Sequence, residues 1–164
     1  MGQGKKNEKK YEHYTKMLRT TMQTEAWRAL SSTAQALYPL IKLEWKGAKA
    51  NNNGKLRLSV RQAAEGLGCS VNTAAKAFHE LQAKGFIVQT ETGCLSGGPD
   101  AQCPCYEVTE IALPHSKGMR KLFLRWRPGQ DFKVLKAVTN NPNGFNGRAP
   151  HSRGNVVPLN GRKA

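Results

Sequence analysis

The residues best suited to recognition chemistry lie close together in the chain. Asn72, Thr73, Ala75, Lys76 and His79 share one side of a helical pattern. The other side, Ala74, Ala77, Phe78 and Leu81, repeats at i, i+3, i+4 and i+7 and must face a core. An asparagine amide can pair with the donor–acceptor edge of adenine. A short residue such as Ala75 lets a helix backbone approach a groove and offers a methyl to thymine. Lys76 and His79 add donors for a base edge or a phosphate. Ser70 and Thr73 stand at the start of the same helix, where free N–H groups favour phosphate oxygens. Arg61 opens the preceding helical pattern and suits a backbone contact, whereas Gln62 beside it suits a helix cap. The chemistry this set can do is recognition of duplex DNA, with one helix on the base edges and its neighbours on the phosphates.

Charge points the same way. Lys and Arg total 26 against 11 Asp and Glu, a formal charge of +15 that folding does not require and a polyanionic partner explains. Catalysis is poorly served. His13, His79, His115 and His151 are not spaced with acids or cysteines as nucleophile–base or metal pairs, and there is no phosphate-cradling glycine loop of the Walker type. Asp100, Glu107 and Glu110 form the one local acidic group that Mg²⁺ chemistry could use, but the alternation of the last two suits an exposed strand. Cys69 suits a small packed position in a turn. Cys94, Cys103 and Cys105 fall in one loop, where Cys103-x-Cys105 is tighter than the spacing zinc sites use. The thiols are expected to be free, and no metal or cofactor is expected.

The elements that must position this set can be placed from local signals. Thr24 is an N-cap for a short helix. Ser32, with Gln35 three residues on, offers a second start for a helix that carries Ala34, Leu37, Tyr38, Ile41 and Trp45 on one face. Pro39 within it should kink the helix or shift its bounds. Asn51-Asn52-Asn53-Gly54 is a turn, and Lys55-Leu56-Arg57-Leu58 alternates as a short strand whose Lys55 and Arg57 join the DNA-contacting set. Ser59 and Gln62 form a capping box for a helix over 60–67. Gly68 supplies a left-handed turn, a helix comes next over 71–84, and Gly85 stops it. Strands at 86–90 and 106–113 enclose a loop poor in cations, since no Lys or Arg lies between Gln89 and Glu107. The patch Leu122-Phe123-Leu124-Arg125-Trp126 is expected to pack back on the domain.

The stretch from Leu58 to Ile87 resembles the DNA-binding module of GntR-type regulators, through Ser70-x-Asn72-Thr73, the Glu80-Leu81 pair and Gly85 before the apolar strand. More loosely, the longer pattern is similar to small helix-turn-helix proteins of alphaproteobacterial genomes and mobile elements. The resemblance implies a winged helix-turn-helix with Arg61, Ser70, Asn72, Thr73 and Lys76 at DNA-contact positions. Members of that family often carry Arg where this chain has Val71, Ala75 and His79, so the resemblance brings no operator sequence with it. No ligand-binding domain of such regulators is expected in the stretch beyond Leu113, which is short and polar.

The expected architecture is α+β and mostly α: a winged helix-turn-helix with a small antiparallel wing and basic, flexible termini. Residues 1–20 are expected to form a basic arm, 21–136 the domain with its C-terminal extension, and 137–164, which has no acid, a disordered basic tail. The expected function is sequence-specific binding of double-stranded DNA in transcriptional regulation, most simply as a repressor. The alternative is a replication or recombination accessory protein of a plasmid, phage or integrated element. A homodimer is expected if the site is palindromic, with Trp27, Trp45 and Trp126 as candidate anchors. No membrane partner is expected, because no apolar run approaches the ~20 residues of a span. The expected location is a bacterial cytoplasm, on DNA.

Overall fold

The computed structural model describes residues 13–93 and 102–136. The first part of the expected arm, the loop segment that holds Cys94 and Asp100, and the tail from residue 137 lie outside the described residues. Within them the chain is α+β. Helices α1 (Arg19–Met22), α2 (Glu25–Arg28) and α3 (Ser32–Leu43) lead to β1 (Leu56–Arg57), α4 (Val60–Leu67), α5 (Val71–Ala83), β2 (Ile87–Glu91) and β3 (Cys105–Val108). Two short 3₁₀ turns, Ala48–Ala50 and Leu122–Leu124, complete the fold.

Local chemistry sets the helix starts. The Thr24 hydroxyl accepts from the Trp27 amide at 3.2 Å and opens α2. The cap of α3 is Ser31 rather than Ser32: its Oγ accepts from the Ala34 amide at 3.3 Å. Gln35 makes no capping box. Its amide donates instead to the Trp27 carbonyl at 3.0 Å and ties α3 to α2. Pro39 lies inside α3 without ending it. Ala34, Leu37, Tyr38 and Ile41 are buried as their spacing predicts, but Trp45 lies beyond the helix end, half-buried, with its indole N–H on Asn51 Oδ1 at 2.9 Å.

The asparagine run does more than turn the chain. Asn52 Nδ2 donates to the Glu44 carbonyl at 2.9 Å and closes the end of α3. Asn53 is buried and acts as a polar pin. Its Oδ1 accepts from the Val108 amide at 2.8 Å, and its Nδ2 donates to the carbonyls of Val108 and Ile111 at 3.1 and 2.7 Å. The strand order is β1-β3-β2, all antiparallel, with Leu56 opposite Tyr106 and Val88 opposite Glu107. The Lys55–Leu58 strand expected from alternation shrinks to Leu56–Arg57, and the expected strand 106–113 ends at Val108.

The core lies between the helices and the sheet. Trp27, Tyr38 and Phe86 meet pairwise edge to face at 5.3–5.7 Å, and Phe123 stacks on Phe86 at 4.9 Å. Such aromatic pairs contribute ~0.5–1.5 kcal/mol each beyond area burial. Trp27 and Trp126 are both buried in this core. Leu122, Phe123 and Trp126 pack back on the domain as expected, while Leu124 and Arg125 face solvent.

Two acidic residues expected on an exposed strand are buried instead. Glu110 accepts hydrogen bonds from the Thr21 hydroxyl, from Tyr38 Oη at 3.1 Å and from Lys42 Nζ at 2.5 Å. Burial and the Glu110 charge hold the Tyr38 phenol well above its ordinary value, so it stays a donor. Lys42 also donates to the Lys16 carbonyl at 2.5 Å, and Met17 packs against the core. Part of the stretch assigned to the arm is therefore held on the domain. Glu107 pairs with Arg120 at 2.8 Å, and its second oxygen is buried without a partner among the described residues. Both carboxylates have partners far away in sequence, which alternation cannot reveal. No helix among the described residues is long and apolar enough to cross a membrane.

Candidate nucleic-acid interface

The α4–turn–α5 unit is built by reciprocal caps. Gln62 N–H donates to Ser59 Oγ at 3.2 Å while Ser59 N–H donates to Gln62 Oε1 at 3.1 Å, so the box predicted from sequence is complete and Gln62 is a cap. Gly68 closes α4 in the left-handed region at φ +62°, and the Cys69 amide returns to the Ala64 carbonyl at 2.9 Å. Ser70 then starts α5, its Oγ accepting from the Thr73 amide at 3.1 Å. Ala63 and Ala64 are buried on α4, and Ala74 and Ala77 on α5. Four side chains this small let the two helices approach closely, while Phe78 and Leu81 carry α5 onto the core.

The outward strip of α5 has the composition and order expected. Asn72, Thr73 and Lys76 are exposed, and Ala75 and His79 are half-buried. Positions 72, 76 and 79 succeed one another along ~10 Å of helix at 1.5 Å per residue. The Ser70 and Thr73 hydroxyls lie 2.8 Å apart and share one hydrogen bond. That bond uses one hydroxyl proton of the pair, so the other is left to donate outward. Arg61 is exposed on the first turn of α4 and has no ion pair among the described residues. Burial lowers the affinity of the His79 imidazole for a proton, and the nearby Lys136 ammonium lowers it further.

Lys55 and Arg57 belong to a different place. Both are exposed at the edge strand β1, whereas β2, at the opposite edge, is the strand that comes after α5. The Arg57 guanidinium is engaged there: Nε donates to Cys105 Sγ at 3.3 Å, and Nη2 lies 4.0 Å from Glu91. Cys105 in turn donates to Glu91 at 3.1 Å. The set named from sequence thus divides into a strip on α5, with Arg61 on α4, and a separate group on the sheet edge. Burial pushes both the Cys103 and the Cys105 thiol up. Cys69 is half-buried against the core, and the described residues contain no cluster of three or more metal-ligating side chains.

Sequence reasoning missed the cations that the C-terminal extension brings beside α5. The Phe132 amide donates to the Ala83 carbonyl at 2.8 Å, and the Leu135 amide to Gln82 Oε1 at 3.0 Å. Lys133 and Lys136 are exposed on this segment. Their signal was a mixed apolar and basic run, Phe132-Lys133-Val134-Leu135-Lys136, with no acid after it. A pocket of about 640 Å³ opens elsewhere, between residues 13–18, the end of α3 and residues 110–112, and nothing from α4 or α5 lines it.

Comparison with protein-family models, curated proteins and solved structures gives no match for this chain.

Proposed function

We propose that this protein is a sequence-specific binder of duplex DNA that acts in transcriptional regulation, most simply as a repressor that occupies a promoter. In this reading the chain is a winged helix-turn-helix. Helix α5 lies in the major groove, α4 crosses the backbone, and the β2–β3 hairpin is the wing. The observation that carries the reading is the outward strip Asn72–Thr73–Lys76–His79 on a helix whose other face is locked into the core by Ala74, Ala77, Phe78 and Leu81. A rigid helix with a short-chained polar face near its N-terminus can approach base edges closely. The +15 charge supplies attraction to the phosphates. Asn72 is assigned to base recognition, Lys76 and His79 to a base edge or a phosphate, and Ser70, Thr73 and Arg61 to phosphates. Lys55 and Arg57, at the β1 edge of the sheet and apart from the α5 strip, are assigned to phosphates outside that groove.

The test is selection of bound fragments from a genomic DNA library at ~150 mM salt, with the wild-type chain and the Asn72→Ala/Lys76→Ala variant, since charge-driven binding weakens steeply with salt. One enriched motif that the variant loses supports the reading, and a two-fold-symmetric motif adds that two copies bind together. Equal, motif-free enrichment by both proteins overturns it.

A further inference from the structure

We infer that the C-terminal extension is a second DNA-contacting element, in which Lys133 and Lys136 engage phosphates beside the groove entered by α5. This rests on the assignment of α5 as the recognition helix.

The path of the chain carries the inference. Residues 132–136 begin at the C-terminal end of α5, where Phe132 bonds to Ala83. They continue past Gln82, which holds Leu135, and reach the neighbourhood of His79 with Lys136. The segment therefore runs back along α5, from its end toward the strip that faces solvent. The path is fixed by packing. Phe132 and Leu122 press on Gly85, where an added Cβ would stand 2.8 Å from the Phe132 ring. Gln82 is buried, and its carbonyl oxygen is used by the Leu135 amide. Lys84 lies over the Trp126 ring at 5.4 Å, a cation–π contact that ties the end of α5 to the start of the extension.

The electrostatics match a polyanion. Lys133 and Lys136 are exposed, and neither has an ion pair among the described residues. The sequence has no acid after Asp131, whereas Arg148, Arg153, Arg162 and Lys163 all lie beyond it. Lys136, placed beside His79, has no acidic partner among the described residues. Against a phosphate backbone the same placement adds contacts at the flank of the recognition helix, where they strengthen binding on any sequence.

The test measures binding of the full chain to a labelled mixed-sequence duplex of ~30 base pairs across a salt series. It compares wild type, Lys133→Ala/Lys136→Ala and a control with equal charge loss, Lys46→Ala/Lys49→Ala. Each phosphate contact contributes about 0.9 to the log–log salt slope. The extension variant is expected to lose about 2 from that slope and on the order of 10–100-fold in affinity near 0.1 M salt, with the control much closer to wild type. Wild-type-like binding by the extension variant, or losses no larger than those of the control, overturns the inference. Tighter binding by that variant also overturns it, because the segment would then cover α5 rather than extend its reach. If wild type fails to bind duplex at all, the recognition reading itself falls, an outcome distinct from failure of the extension alone.

Discussion

Gly85 and Phe132 are packed so closely that a methyl group on Gly85 would meet the Phe132 ring at 2.8 Å, and Leu122 Cβ at 2.9 Å. Gly85 also holds φ +76°, a conformation that side chains disfavour. Gly85→Ala should therefore cost ~2–4 kcal/mol, combining left-handed strain with overpacking. Gly129 is the control. Its φ is +80° but nothing lies within 4 Å, so Gly129→Ala should cost only ~1 kcal/mol. Chemical denaturation of the two variants checks the difference. Equal costs would mean that the extension does not press on Gly85.

The Lys42–Glu110 pair makes a second prediction. Both side chains are buried, and each has further hydrogen-bond partners in the cluster or its surroundings. Removing one partner leaves an uncompensated buried charge, so Lys42→Met should destabilise the fold by ~3–5 kcal/mol. Lys42→Met/Glu110→Gln should recover a good part of that loss. Urea unfolding of the single and double variants measures both. A double variant less stable than the single one would contradict the account.

Glu107 predicts a pH dependence. Burial holds its carboxyl above the ordinary carboxylate value, although the Arg120 charge and hydrogen bond pull it down. The folded state thus keeps this proton to higher pH than the unfolded state. Below the unfolded value the group contributes no penalty. As pH rises through the folded value, ionisation in the buried site subtracts stability. Glu107→Gln should be more stable than wild type at neutral pH, and the gap should close as pH falls below ~4, near the unfolded carboxyl value. Unfolding curves across pH decide the sign.

The α4–turn–α5 unit was legible because its signals are local. The Ser59/Gln62 box, the left-handed Gly68 and the apolar repeat from Ala74 to Leu81 each act within a turn or two. The same holds for the outward strip, which is what remains once the core face is assigned. What could not be read depends on distant partners. Glu110 looks like a strand residue beside Glu107 until Thr21, Tyr38 and Lys42 gather around it. Asn53 looks like a turn residue until its amide is seen pinning Val108 and Ile111. Lys55 and Arg57 carry the right charge for the DNA set, but the strand order puts them at the other sheet edge from the strand that comes after α5. The loop from Cys94 to Asp100 lies outside the described residues, and its lack of Lys and Arg remains a fact of sequence alone.

His79 reports on its neighbour. Burial and the Lys136 ammonium both hold its imidazole below the ordinary value. Lys136→Ala should raise the His79 titration midpoint toward that value, and NMR titration of the ring protons would show it. A contact between His79 and a phosphate would favour the protonated ring. In that case DNA affinity should rise as pH falls below ~6.5, with proton uptake, and His79→Asn should abolish the rise. An unchanged midpoint in Lys136→Ala would place Lys136 away from α5.

The most direct test of the central claim is amide mapping by NMR, with an isotopically labelled full chain titrated with duplex DNA. The account predicts that the largest changes fall on residues 70–79 and the first turn of α4 around Arg61. Changes concentrated instead around Trp45 and Ile111, with α5 silent, would contradict it.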